Sequence, residues 1–108
     1  DVKCVALESF TVEADDGRCA QMGEEIEVTS PPRIRFRTVS EDALKGGATQ
    51  ARIIRGGFEV YKERREGAAV DWTFDDTSLK RGERTYYRLE IDCRTNRIAS
   101  NPIFATYK

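Results

Sequence analysis

No histidine occurs among the 108 residues of this chain, and that one absence removes much of enzymology. Without an imidazole there is no ordinary proton shuttle at neutral pH, no Ser/His or Cys/His nucleophile pair and no histidine-ligated metal centre. Methionine and tryptophan occur once each, as Met22 and Trp72. No run of about 18 apolar residues is present to form a membrane-spanning helix. Glycine loops of the G-x-x-x-x-G-K-[ST] type are missing too, so Gly46-Gly47 and Gly56-Gly57 read as turns rather than phosphate cradles. The net charge of -1 gives no bulk attraction for nucleic acid or an anionic membrane, and neither is an expected partner.

Cysteine is scarce as well. Cys4, Cys19 and Cys93 form no C-x-x-C pair and are too few for a disulfide framework, so reduced, partly buried thiols are the expectation, with a single disulfide and one thiol left over as the competing assignment. The residues do not fix a compartment, although the balance leans toward the cytoplasm. Asp1 is not an initiator methionine, and the chain is expected to start inside a longer product. Residues 1–4 then form a linker from an upstream domain and residues 5–108 a single domain.

What is present is a globular composition, with 39% hydrophobic and 34% charged residues. Apolar and polar residues alternate with a period of two, as half-buried antiparallel strands require. Arg33 to Val39 places Ile34 and Phe36 inward and three arginines outward. Arg84 to Cys93 places Thr85, Tyr87, Leu89, Ile91 and Cys93 on one face. These are the expected central strands. Further strands are predicted at Val5 to Glu13, Glu24 to Thr29, Gln50 to Arg55, Phe58 to Lys62, Ala69 to Phe74 and Ile98 to Thr106, with turn residues between them. Along Val5 to Glu13 the apolar phase changes near Glu8-Ser9, which marks either a bulge or the seam with a preceding domain. Gly56-Gly57 suits a tight hairpin, and Ser40 to Gly47 has the capping residues for one helical turn. The whole reads as an all-β, immunoglobulin-like antiparallel β-sandwich of about seven to eight strands.

Candidate chemistry is sparse. Asp15-Asp16 and Asp75-Asp76 could gather around a hard cation such as calcium, but they lack the spacing of a calcium loop and read as solvated turn residues. Arg33, Arg35, Arg37, Arg84 and Arg88 would make an anion-binding surface if their strands were neighbours. The plainer expectation is a mixed-sign ladder with partners such as Glu25, Glu27, Glu90 and Asp92. Trp72 and Tyr87 fall at inward positions and read as core residues. A sugar-stacking role for Trp72 is the competing assignment. No cofactor is expected.

Near its end the chain carries Tyr86-Tyr87-Arg88-Leu89-Glu90-Ile91, a short polar turn, and Ala99-Ser100-Asn101-Pro102-Ile103-Phe104. This resembles the ending of proteins in the polymerase and histidinol phosphatase (PHP) superfamily of metal-dependent phosphoesterases. Met22-Gly23-Glu24 and the hairpin Ile53 to Val60, with Gly57 at its turn, resemble features of that family's C-terminal β domain in the same order. The resemblance spans roughly residues 5 to 107. It implies a non-catalytic accessory domain, with catalysis and metal binding carried by an upstream domain that begins with an H-x-H motif. The matched positions Met22, Gly23, Gly57, Tyr87, Arg88, Ser100, Asn101, Pro102 and Ile103 are expected to be structural. Pro102 lacks an N–H, which restricts it to a strand start, an edge or a bulge, and Ser100 and Asn101 can bond local backbone. The upstream catalytic domain is the expected partner, with Val5 and Leu7 as candidate contacts, and a homo-oligomer is a second expectation. The competing function is a free-standing carbohydrate- or protein-binding module, because one fold serves many functions.

Overall fold

A computed structural model describes residues 5–40, 48–93 and 97–108. Ten strands are formed: β1 (Val5–Glu13), β2 (Cys19–Gln21), β3 (Glu25–Val28), β4 (Arg33–Ser40), β5 (Ala48–Arg55), β6 (Phe58–Glu66), β7 (Ala69–Asp75), β8 (Arg84–Asp92), β9 (Arg97–Ala99) and β10 (Ile103–Tyr107). They build a four-stranded sheet in the order β2-β1-β4-β7 and a six-stranded sheet in the order β3-β10-β8-β5-β6, with β9 also paired to β8. The fold is a β-sandwich. No helix occurs among the described residues. The helical turn expected at Ser40 to Gly47 falls outside them from residue 41 onward, while Ser40 itself ends β4.

The period-two pattern explains the core. Ile34, Phe36, Trp72, Tyr87, Leu89 and Ile91 are all buried between the sheets, since alternate residues of a strand share a face. Phe36 and Trp72 are opposite each other on β4 and β7, their rings stacked with centroids 5.4 Å apart. The indole N–H donates to Thr38 Oγ1 at 2.9 Å, so the polar end of the largest core residue is satisfied without water.

Two local expectations are resolved in detail. The register between β1 and β4 shifts between Leu7 and Ser9, so Glu8 is the extra residue of a bulge. That bulge is why Val5 and Leu7, at odd positions, turn the same way as Phe10 and Val12, at even ones. Gly56 and Gly57 form the two-residue loop between β5 and β6 with φ of 56° and 94°, the left-handed backbone that a tight hairpin needs.

The six-stranded sheet is not wholly antiparallel. β3 pairs with β10 in parallel, Glu25 opposite Phe104 and Val28 opposite Tyr107. The strand expected at Ile98 to Thr106 is split into β9 and β10, and β2 was not anticipated from the sequence.

Candidate functional site

The two open sides of the sandwich differ. On one side β6 and β7 close the seam with side chains: Tyr61 packs on Phe74, and the Arg65 guanidinium lies 5.0 Å from the Trp72 ring centroid. On the other side the short strands β2 and β3 close only part of it. The remainder is a groove of about 340 Å³ lined by Val5, Leu7, Met22, Ile98, Ser100 and Asn101, among others.

This groove is framed by residues that are far apart in the sequence. From Tyr87–Ile103 to Glu90–Ala99 the register moves three residues on β8 and four on the opposing chain, so one residue between β9 and β10 is extra. The hydrogen bonds identify it. Ser100 N–H donates to the Leu89 carbonyl at 2.9 Å, and Leu89 N–H donates to Ser100 Oγ at 2.8 Å, which leaves Asn101 as the bulged residue. Pro102 follows with no N–H to satisfy, and its carbonyl accepts from Gly23 N–H at 2.8 Å. The Ser-Asn-Pro run thus has a physical reason residue by residue. The serine hydroxyl replaces a ladder acceptor, the asparagine is the exposed extra residue, and the proline carbonyl ties the bulge to Met22-Gly23.

Not every singled-out position comes to this groove. Tyr87 and Ile103 are cross-strand partners in the core, Gly57 sits in the β5–β6 turn, and Arg88 lies on the outer face with Glu90 2.7 Å away. Val5 requires a correction as a contact residue. Its side chain is fully buried in this chain's own core, because the Glu8 bulge sets its phase inward. Leu7 is half-buried against the core, and Met22, 44% exposed, is the most accessible apolar side chain beside it.

A second cluster was missed from the sequence. Asp76, expected as a solvated turn residue, is completely buried. Arg55 Nη1 donates to both its carboxylate oxygens at 3.0 and 2.9 Å, Tyr87 O–H donates to Oδ2 at 2.5 Å, and Ser78 O–H donates to Oδ1 at 2.8 Å. Burial alone would raise this carboxyl's pKa, but the bonds from Tyr87, Arg55 and Ser78 outweigh it and hold the group below the usual carboxylate range. Burial, followed by the bond to Asp76, pushes the Tyr87 phenol far above its ordinary value. The sequence carried half of the signal. Arg55 falls at an inward position opposite Tyr87, and an inward arginine at a strand end calls for a carboxylate.

The arginine faces do not join. β4 and β8 belong to different sheets, so Arg33, Arg35 and Arg37 cannot combine with Arg84 and Arg88. Each is matched instead: Arg33 with Asp75 at 2.8 Å, Arg35 with Glu13 at 3.3 Å, Arg37 with Glu8 at 3.0 Å and Asp71 at 2.9 Å, and Arg84 with Glu25 at 3.3 Å. Asp15 and Asp75 do share a small depression with Glu13, but Arg33 lines it too. Among the described residues no group of three or more histidine, cysteine, aspartate or glutamate side chains is placed to hold a metal ion.

Trp72 is buried and cannot stack on a sugar, because its β7 position faces inward. The outer face of the six-stranded sheet offers one aromatic pair, Tyr86 and Phe104, with centroids 6.2 Å apart and planes tilted by 57°. The expected reduced thiols also need correction. Cys19 is free and exposed and Cys93 is disulfide-bonded, which is the competing assignment of one bridge with a thiol left over. Sequence spacing does not report which cysteines approach in space, and Cys4 lies outside the described residues. No protein-family model matches this chain, and no curated protein matches it.

Proposed function

We propose that this chain is a non-catalytic accessory domain of a PHP-type metal-dependent phosphoesterase, and that it braces or assembles the catalytic domain through the open seam. One observation carries the reading. Met22-Gly23 and Ser100-Asn101-Pro102, both singled out by resemblance, are joined by the Gly23–Pro102 bond and frame an apolar groove together with Leu7. Short motifs scattered over a chain gain weight when they build one local structure. Interdomain contacts of this kind bury about 600–1,500 Å².

The test is deletion of this domain from the full-length parent protein. The expected result is lower thermal stability or oligomeric order of the catalytic part, with its metal ligands and reaction type unchanged. Loss of binding to a glycan or another macromolecule, with enzyme stability untouched, would replace this reading by the binding-module one.

The binding-module reading draws on the Tyr86–Phe104 pair. A sugar ring is best received by a flat aromatic platform, and rings tilted by 57° do not make one. The seam supports the first reading more strongly.

A further inference from the structure

The groove on the open side of the sandwich has walls from both sheets. Val5, Ala6 and Leu7 of β1 bring one wall from the four-stranded sheet, and residues 98–101, around β9, bring the other from the six-stranded sheet. At the Met22 end the sheets are tied by backbone. Met22-Gly23 follows β2 of the four-stranded sheet, and Gly23 N–H donates to the Pro102 carbonyl at 2.8 Å.

The start of β1 has a different arrangement. Residues 5–7 pair with β4, whereas β2 reaches β1 only at Thr11 to Glu13. Among the described residues, no hydrogen bond or ion pair joins residues 5–7 to β8 or β9. The bulge at Glu8 interrupts the register between these residues and the rest of the strand.

The cysteines bear on that end. The sequence has three. Cys19 is free and exposed and Cys93 is disulfide-bonded. A bridge within one chain needs a second cysteine, and the count leaves Cys4, which directly precedes Val5. Cys93 directly follows Asp92, whose partner on β9 is Arg97, so it stands where the β8–β9 hairpin begins its turn.

We propose that a Cys4–Cys93 bridge clamps the two walls of the groove, and that its reduction lets residues 5–7 part from the six-stranded sheet. The inference does not depend on the accessory-domain reading. A disulfide holds its two Cα atoms within about 7 Å of each other, which fixes the separation of the walls at the end that the backbone leaves untied. The co-reactant is a dithiol. One of its thiolates attacks a sulfur of the bridge and the S–S bond breaks. Its second thiolate then displaces that cysteine and closes the reductant's own disulfide, so two electrons and two protons pass to the chain as two thiols. Cys93 is half-buried and not sealed in the core. Release stops at the Glu8 bulge, because Thr11 to Glu13 are held by β4 on one side and β2 on the other.

Peptide mapping of the unreduced chain, with free thiols alkylated first, tests the pairing. The expected products are alkylated Cys19 and one cross-linked pair of peptides carrying Cys4 and Cys93. Alkylation of Cys4, a cross-link to Cys19 or a cross-link between two chains would overturn the clamp. Amide exchange followed by NMR, with and without dithiothreitol, tests the release. Reduction should speed exchange of the β4-bonded amides in residues 5–7 by about tenfold or more and leave those of Thr11 to Glu13 unchanged. The double variant Cys4→Ser, Cys93→Ser should show the same pattern without reductant, and Cys19→Ser should show none of it. Unchanged exchange at residues 5–7 once both thiols can be alkylated would overturn the proposal. Equal acceleration along the whole chain would overturn it too, because the bridge would then hold the fold and not the groove.

Discussion

The Tyr87 hydroxyl donates a 2.5 Å hydrogen bond to the buried carboxylate of Asp76, and this pair connects the β7–β8 loop to the middle of the core. Arg55 completes it from β5. Removing one partner of a buried charged group leaves the other unsatisfied, which costs more than the pair contributes. Asp76→Ala is therefore expected to destabilise the fold by about 3–5 kcal/mol. Tyr87→Phe, which removes one hydrogen bond to a charged group, should cost about 1.5–3 kcal/mol. Urea unfolding of both variants and of the double variant measures this. A double variant no worse than Asp76→Ala alone would show that the hydroxyl acts only through the carboxylate.

The same carboxylate makes stability depend on pH. Its folded-state pKa lies below the ordinary value, so the folded state favours the charged form. The contribution is complete above the unfolded value of about 3.9 and is lost as pH falls through the lower folded value. Asp76→Asn lacks this titration. The gap in urea midpoint between the parent sequence and Asp76→Asn should be constant near neutrality and narrow below about pH 4. A gap unchanged down to strongly acid pH would mean that folding does not lower the Asp76 pKa.

Leu89 tests two kinds of contact at one residue. Its side chain is fully buried, so Leu89→Ala should cost about 2–5 kcal/mol through lost transfer energy and the cavity left behind. Its N–H relies on Ser100 Oγ, so Ser100→Ala should cost about 1–3 kcal/mol for an orphaned donor. Ser100→Ala should also accelerate exchange of the Leu89 amide, whereas Leu89→Ala acts on global stability.

Metal titration gives a chemical prediction. The sequence has no histidine, and among the described residues no three cysteine, aspartate or glutamate side chains are grouped to hold a metal ion, so tight transition-metal binding at neutral pH is not expected. Calorimetry with zinc or manganese should show no sub-micromolar binding. Sub-micromolar binding that survives Cys19→Ser would contradict this.

The sheets were legible because burial imposes a period of two, and Ile34, Phe36, Leu89 and Ile91 announce it without interruption. The bulge at Glu8 was legible for the same reason, as a break in that period. What escaped notice depends on contacts between distant segments. Asp76 reads as a turn residue until Arg55 and Tyr87 are placed beside it. The parallel pairing of β3 and β10 leaves no local trace, since either direction gives the same alternation along each strand. β2 is too short for a period to show. The groove combines Leu7, Met22 and Ile98 from three separate strands and turns; Leu7, Met22 and Ser100 to Pro102 were each singled out in the sequence, but nothing local in it places them together.

The parallel ladder between β3 and β10 has a consequence for biosynthesis. Glu25 waits for Phe104, about 80 positions later, and the Val28 carbonyl for the N–H of Lys108. A ribosome adds residues one at a time, so β3 emerges long before its neighbour exists. Until the last strand is made, Ile26 and Val28 have no sheet to join, and the six-stranded layer cannot close. Such non-local pairing slows folding, because the loop entropy comes before the contact that offsets it. The six-stranded layer therefore closes only once β10 is made, and a nascent chain stalled before Ile103 should remain sensitive to protease at β3.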